Sequence, residues 1–377
     1  MEALRILWMN WRCIRHPLAG GAEVYTHEIA KRLARQGHEI ILITSRPKGL
    51  PEQEVIDGYK VIRTGGKYTV YLKAKKIYKE LKENGWKPDI IIDEVNTIPF
   101  MTPLYTEESV VMLIHQLCRE CWKYAVHPLA YPLGWWLEKT LHKPYIKAAK
   151  QGKVKAVITV SESTKKDLIM LGYPEEKIHI VPNGINPEKY LACKEYSRDK
   201  QDLIVYIGRI TPYKRIEDIL QAWKQVEQKY PTAKLVIAGR PDKKYLEKLK
   251  KQARKLGLKR VEFKTNITHH QKLELLGHAK ALIYTSIREG WGQTIMEAAL
   301  CNTPTIAYNI PGLKDAINHL QTGTLIPPGK TTLLAKTILK TLNTTLDPLD
   351  LEETIQEYTW DNSTKLFIET IIEVIKR

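Results

Sequence analysis

Leu203-Ile204-Val205-Tyr206-Ile207-Gly208-Arg209-Ile210-Thr211-Pro212-Tyr213-Lys214-Arg215 decides how the chain is built. Its first five residues are apolar, mostly β-branched or aromatic, and predict a buried strand; Ile216–Lys229 behind them reads as a helix. Strand, glycine-opened loop and helix together make part of a βαβ unit. The rhythm continues downstream, with strands at Lys234–Ala238, Val261–Phe263, Ala281–Tyr284 and Thr305–Ala307 and a lysine-rich helix at Lys243–Leu256. It has also run once before. Arg5–Met9, Glu39–Thr44, Ile90–Ile92, Val110–Ile114, Ala156–Val160 and Ile178–Val181 read as strands. Ala22–Gln36, ended by Gly37, and the basic stretch Tyr71–Asn84 read as helices, with a hairpin-like Gln53–Arg63 between them. The expected class is α/β, with two Rossmann-like lobes joined around 184–200 and facing each other across a cleft. In such sheets ligands bind at the carboxyl ends of the strands.

Composition agrees with two ordinary globular domains. The chain has 377 residues, 43% hydrophobic and 27% charged, enough apolar material for real cores. Its net charge of +17 favours anionic partners such as phosphates or acidic surfaces. That charge is evenly spread, with 29 basic and 21 acidic residues in 1–190 against 30 and 21 in 191–377. No basic tail or recognition motif appears, so nucleic acid is not an expected partner. Five cysteines, at 13, 118, 121, 193 and 301, are too scattered for a disulfide framework, so free thiols in a reducing, cytoplasmic setting are expected. No signal peptide or apolar run of membrane-spanning length is read from the sequence.

Three loops at expected strand ends carry the candidate chemistry. His16-Pro17-Leu18-Ala19-Gly20-Gly21-Ala22-Glu23 lies between the first strand and its helix. Its glycines let backbone approach a ligand, and the helix N-terminus offers N–H groups to a phosphate, although a plain βα loop would read the same way. It is not G-x-G-x-x-G, and no G-x-x-x-x-G-K-[ST] occurs, which argues against nicotinamide and P-loop chemistry. Arg209, Lys214 and Arg215 put three cations within seven residues, suited to a diphosphate or simply to a solvated loop. Most specific is Arg288-Glu289-Gly290-Trp291-Gly292-Gln293-Thr294-Ile295-Met296-Glu297-Ala298-Ala299. Glycines open a helix there, with one acid in the loop and the other about two turns in, able to accept from ribose and sugar hydroxyls. Cys118-x-x-Cys121 has no second pair, and His269-His270 reads as a solvated loop opening.

Taken in order and spacing, Gly20-Gly21 before a helix, Arg209 with Lys214, and Glu289-x₇-Glu297 resemble the retaining family-4 glycosyltransferases of the GT-B fold. His115 matches that family's active-site histidine, and Ser161-Glu162-Ser163 and Val181-Pro182-Asn183-Gly184-Ile185 resemble two further signatures. Trp291 stands where Phe is usual, and Asn186 where Asp often follows Gly-Ile. The resemblance implies transfer of a hexose-type sugar from a nucleotide-diphosphate sugar to a hydroxyl of a lipid-linked sugar, polysaccharide or glycan, with retained configuration. Residues 1–188 would form the acceptor-side domain and 189–377 the donor domain, the last helix, about 362–377, packing back on the first. Catalytic roles fall to His115, Arg209, Lys214 and Glu289. Donor contacts fall to Gly20, Gly21, Gly290, Trp291, Gly292, Gln293, Thr294 and Glu297. No metal and no cofactor is implied, since the DxD signature is absent and the nucleotide sugar is a substrate. A nucleotide-sugar epimerase, a phosphorylase of the same fold and a non-catalytic sugar-nucleotide binding protein remain alternatives.

A second expectation concerns location. Trp122-Lys123-Tyr124 and Tyr131-Pro132-Leu133-Gly134-Trp135-Trp136-Leu137, followed by Lys139, His142, Lys143 and Lys147, join aromatic rings to cations. Such a pattern suits peripheral docking on an anionic membrane, with the basic helix Tyr71–Asn84 adding to it. Paired tryptophans commonly fill a core or an oligomer interface, which would also explain the pattern.

Overall fold

The computed structural model describes residues 3–125, 130–344 and 352–376. The chain divides into two compact units: Met1–Trp122, Val126–Gly184 and Tyr358–Arg377 form one, and Ile185–Glu357 with Lys123–Ala125 the other. The division falls at Gly184, and the C-terminal segment Tyr358–Arg377 belongs to the first unit.

The first unit is an eight-stranded sheet of β1 (Arg5–Met9), β2 (Glu39–Thr44), β3 (Gln53–Ile56), β4 (Tyr59–Arg63), β5 (Ile90–Glu94), β6 (Val110–Ile114), β7 (Val154–Thr159) and β8 (Ile178–Ile180). Their order is β3-β4-β2-β1-β5-β6-β7-β8. All pair in parallel except the β3–β4 hairpin, whose turn holds Asp57 and Gly58 at positive φ. Central strands are buried on both faces, so they read as unbroken apolar runs rather than alternating ones. Register sets β1 between β2 and β5, with Trp8 opposite Leu42 on one side and Ile92 on the other. Helices Val70–Glu83 and Tyr131–Lys150 contribute to one core cluster with Leu7, Ile91 and Met112 of the sheet. Helix Gly21–Arg35 pairs with the C-terminal helix Trp360–Lys376 through Arg32 Nε and Asp361 at 2.6 Å. Phe367 of that last helix stacks on Trp8 with centroids 5.2 Å apart. Gly184 is fixed by the same segment, since a Cβ there would lie 2.4 Å from the Trp360 backbone nitrogen. Arg377, the end of the expected last helix, lies outside the described residues.

The second unit holds β9 (Gln201–Ile207), β10 (Lys234–Gly239), β11 (Val261–Thr265), β12 (Ala279–Tyr284), β13 (Thr305–Tyr308) and β14 (Gly323–Ile326). Their order is β11-β10-β9-β12-β13-β14, parallel throughout. The reversal of direction at β9 and β12 is the topological switch point, where loops leaving neighbouring strands part.

Several expectations need correction. Cys193 and Cys301, 108 residues apart, are joined in a disulfide, against the expectation of free thiols. Only folding brings the short helix Cys193–Tyr196 to the end of helix Gln293–Leu300. His269-His270 opens a helix, His269–His278, whose cap is Thr268 accepting from the Gln271 N–H at 3.2 Å. Trp122 packs onto Gly134, where a Cβ would meet the indole at 2.6 Å. His142 is buried against Tyr173, Nδ1 to hydroxyl 2.8 Å, and burial pushes its pKa down to about 4, so it is not a surface cation.

Candidate functional site

In the second unit the two cationic and acidic loops leave adjacent strands, and this brings Lys214 and Glu289 together. Lys214 lies at the end of a single 3₁₀ turn, Pro212–Lys214, after β9, and is almost fully buried. Its ammonium donates to Glu289 Oε1 and to the Tyr284 hydroxyl at 3.1 Å. Burial alone disfavours the charged amine. The carboxylate of Glu289, with the phenols of Tyr213, Tyr284 and Tyr206, overrides it and holds Lys214 well above the ordinary lysine range. Arg209 is exposed and donates to the Tyr213 hydroxyl at 2.7 Å, so Tyr213 sits between the two cations. The chemistry available is a positive patch beside a carboxylate at a strand's carboxyl edge.

Gly290, Trp291 and Gly292 lead into helix Gln293–Leu300. Gly292 caps it at φ 109°, a left-handed conformation that favours glycine. A second glycine supports the loop from beneath: a Cβ on Gly312 would lie 2.2 Å from the Glu289 carbonyl. Gln293 and Thr294 stand in the helix's first turn, where N–H groups point outward. Trp291, between the two glycines, turns its side chain inward. It is buried, with Nε1–H 2.8 Å from Met296 Sδ, and packs the loop onto its helix.

Glu297 is held by two residues that the sequence did not disclose. Its Oε1 accepts from Tyr190 at 2.9 Å and from Lys272 at 2.7 Å. Burial and the nearby carboxylate charge push the Tyr190 phenol up, keeping it a donor.

In the first unit Gly20-Gly21 opens helix Gly21–Arg35 just after β1. A Cβ at Gly21 would meet nothing within 4 Å, and one at Gly20 only Glu23 Oε2 at 3.6 Å. Folding therefore does not require glycine here, whereas close approach by a ligand would. Buried Glu23 fixes the loop by accepting from the Gly20 N–H at 2.6 Å and pairing with Arg12 at 2.8 Å. The same helix carries Tyr25, whose ring meets His115 edge-on at 5.1 Å. His115 follows β6 and lies 3.2 Å, Nε2 to Oε1, from Glu94. Glu94, which ends β5 and is fully buried, was passed over because its strand was read only as far as Ile92. Its one signal is an acid closing an apolar run at a carboxyl edge. Among the described residues no group of three or more His, Cys, Asp or Glu is arranged to hold a metal ion.

Two family models match consecutive stretches, Glycosyltransferase Family 4 over residues 19–189 and Glycosyl transferases group 1 over 193–359. The chain belongs to the family-4 glycosyltransferases. Among its relatives are an uncharacterized glycosyltransferase of Methanocaldococcus jannaschii, 26% identical over 96% of both chains, and glycogen synthase of Mycobacterium tuberculosis, 25% identical over 90% of this chain and 86% of that one. Its fold matches Anabaena HepE solved with UDP and glucose (TM-score 0.74, 18% identity, 98% of this chain and 100% of that one). It also matches sucrose-phosphate synthase of Thermosynechococcus elongatus (TM-score 0.79, 18% identity, 99% of each). This family-4 chain is thus a GT-B glycosyltransferase with two Rossmann-like α/β domains.

Proposed function

We propose that the protein transfers a hexose-type sugar from a nucleotide-diphosphate sugar to an acceptor hydroxyl with retention of anomeric configuration, and does so without a metal ion. The observation that carries this reading is the buried Lys214 beside Glu289 at the carboxyl edge of β9 and β12. Breaking the glycosyl–phosphate bond leaves charge on the diphosphate, and a preorganised cation in a low-dielectric site stabilises it without reorganisation. Arg209 adds a second cation, and the helix N-terminus at Gln293 and Thr294 adds N–H dipoles. Glu297 takes the ribose hydroxyls, Glu289 those of the transferred sugar, and His115 serves the sugar near its anomeric carbon. In HepE the bound UDP and glucose are of the chemical class this reading requires.

The test is a thermal-shift screen of nucleotide sugars, followed by product analysis with and without acceptor in excess chelator. A saturating donor raises the melting temperature. Transfer to an acceptor under chelation, with the linkage retained, supports the reading. Epimerised donor or sugar phosphate as the product would replace it with an epimerase or a phosphorylase, and binding without turnover with a non-catalytic binder. Activity lost in chelator and restored by Mg²⁺ would remove the metal-independent part.

A second reading concerns where the acceptor lies. Helix Tyr131–Lys150 exposes Leu133, Trp135, Trp136 and Leu137, with Trp136 59% exposed, and then turns exposed Lys139, Lys143 and Lys147 outward. The face suits reversible docking on an anionic bilayer and a lipid-linked acceptor. No described helix is long and apolar enough to cross a membrane.

A further inference from the structure

Glu94 is a buried carboxylate at the carboxyl end of β5, beside the strand that delivers His115. Its Oε2 accepts from Trp8 Nε1–H at 2.8 Å and from the Thr26 hydroxyl at 2.5 Å. The indole N–H can only donate. The Thr26 oxygen already receives the Asn10 amide at 3.0 Å, and Asn10 is held in turn by the Asn96 amide at 2.8 Å. The Thr26 hydroxyl faces two acceptors, the Ala22 carbonyl at 3.2 Å and Glu94 Oε2 at 2.5 Å, and its proton goes to the nearer carboxylate oxygen. With Oε2 accepting twice, Oε1 is left facing His115 Nε2, and a carboxylate oxygen requires a donor there.

Two further contacts hold the imidazole in place. The edge of Tyr25 meets its ring, and the Thr164 hydroxyl donates to the His115 carbonyl at 3.2 Å. Among the described residues Nδ1 has no hydrogen-bond partner. We infer that Glu94 is a positioning residue that fixes His115 with its proton on Nε2 and leaves Nδ1 as the atom presented to substrate. The inference rests on the reading that His115 serves sugar transfer. Which ring nitrogen carries the proton is set by the hydrogen bond the other makes, so removing Glu94 changes the chemistry of His115 without touching the ligand.

Glu94→Gln gives a sharp test because it reverses the polarity of one bond while keeping the shape. Trp8 and Thr26 both donate, so they claim the amide oxygen, and the new NH₂ turns to Nε2, which must then accept. Nitrogen-15 NMR of the full chain, with His115 assigned by its disappearance in His115→Gln, reads the tautomer directly. Wild type should show a protonated Nε2, and Glu94→Gln should show that proton lost. A wild-type Nε2 without a proton overturns the inference, and needs no variant to fold.

Kinetics give the second arm. Glu94→Gln should lower kcat about 10- to 100-fold, by analogy with the loss of a carboxylate that orients a metal-bound histidine. Donor KM should stay within about two-fold of wild type, because an orienting group acts on chemistry rather than on ground-state binding. In a His115→Ala background the same change should cost nothing further. An equal loss in both backgrounds makes Glu94 merely structural and overturns the inference. Full activity in His115→Ala alone removes the role proposed for His115, while the NMR result still decides whether Glu94 sets its tautomer.

Discussion

Lys214 and Glu289, 75 residues apart in sequence, form one ion pair at the carboxyl edge of the second sheet, and each is the other's principal counter-charge. A buried ammonium is tolerated only when paired, and removing one partner leaves the other charge uncompensated. The cation proposed for the leaving diphosphate is therefore already held in place by the acid proposed for the transferred sugar. On the proposed reading a bound donor would share Glu289 between the sugar and Lys214, and the two side chains would act as a coupled unit.

Lys214→Ala is expected to lower kcat by about 10²–10³-fold, the usual cost of losing one preorganised charge stabiliser. Donor KM should change far less. Turnover within about three-fold of wild type, in a variant whose melting curve is cooperative, would remove Lys214 from the chemistry.

The two acids should separate kinetically. Glu297 has its Oε1 fixed by Tyr190 and Lys272, so its second oxygen is held in one orientation for a diol. An acid on the ribose binds ground and transition states alike, and Glu297→Gln should raise KM with little change in kcat. Glu289→Gln should mainly lower kcat. Calorimetry with the free nucleoside diphosphate checks the division: only Glu297→Gln should lose affinity, and identical titrations for both variants and wild type would contradict it.

How much of this was legible follows from the range of each contact. β1, β2 and β6 occupy the stretches read from sequence, because each is a short apolar run closed by polar neighbours. β5 was cut two residues short, since Asp93 and Glu94 look like solvent residues until their buried partners are known. Helix Tyr131–Lys150 was not assigned, as Pro144 and the paired tryptophans break its pattern. Lys214, Glu289 and Glu297 stand out as candidates because glycine and charge lie close in sequence there. Tyr190 and Lys272 were missed because only long-range packing brings them to Glu297, 107 and 25 residues away.

His142 makes the first unit sensitive to acid. Its folded pKa is pushed down to about 4 by burial, against roughly 6.5 for an unfolded histidine. Between those values the unfolded chain binds a proton that the folded one refuses, so stability falls as pH drops from 6.5 to 4. The loss attributable to this residue approaches about 3 kcal/mol once pH is below the folded value. His142→Gln retains an amide able to bond the Tyr173 hydroxyl but does not titrate. Its melting temperature should fall less steeply than that of wild type across this window, and parallel curves would refute the assignment.

The exposed tryptophans give the last prediction. With Trp122 folded onto Gly134 and His142 buried, helix Tyr131–Lys150 still exposes Leu133, Trp135, Trp136 and Leu137 beside Lys139, Lys143 and Lys147. Rings of this kind favour the headgroup zone, and each nearby lysine is drawn to acidic lipid by about 1 kcal/mol close to the surface. Helix Val70–Glu83 adds Leu72, 79% exposed, and several lysines, and it packs into the same core cluster as helix Tyr131–Lys150. Flotation with vesicles of graded anionic lipid should recover more protein as acidic content rises, and added salt should reverse the gain. Trp135→Ser with Trp136→Ser should abolish recovery while leaving transfer to a soluble acceptor unchanged, because no donor or catalytic role is assigned to either residue. Equal recovery on neutral and acidic vesicles, or undiminished flotation of the double variant, would rule out bilayer docking. An increase in oligomer mass that these substitutions reverse would instead assign the tryptophans to a contact between copies of the chain.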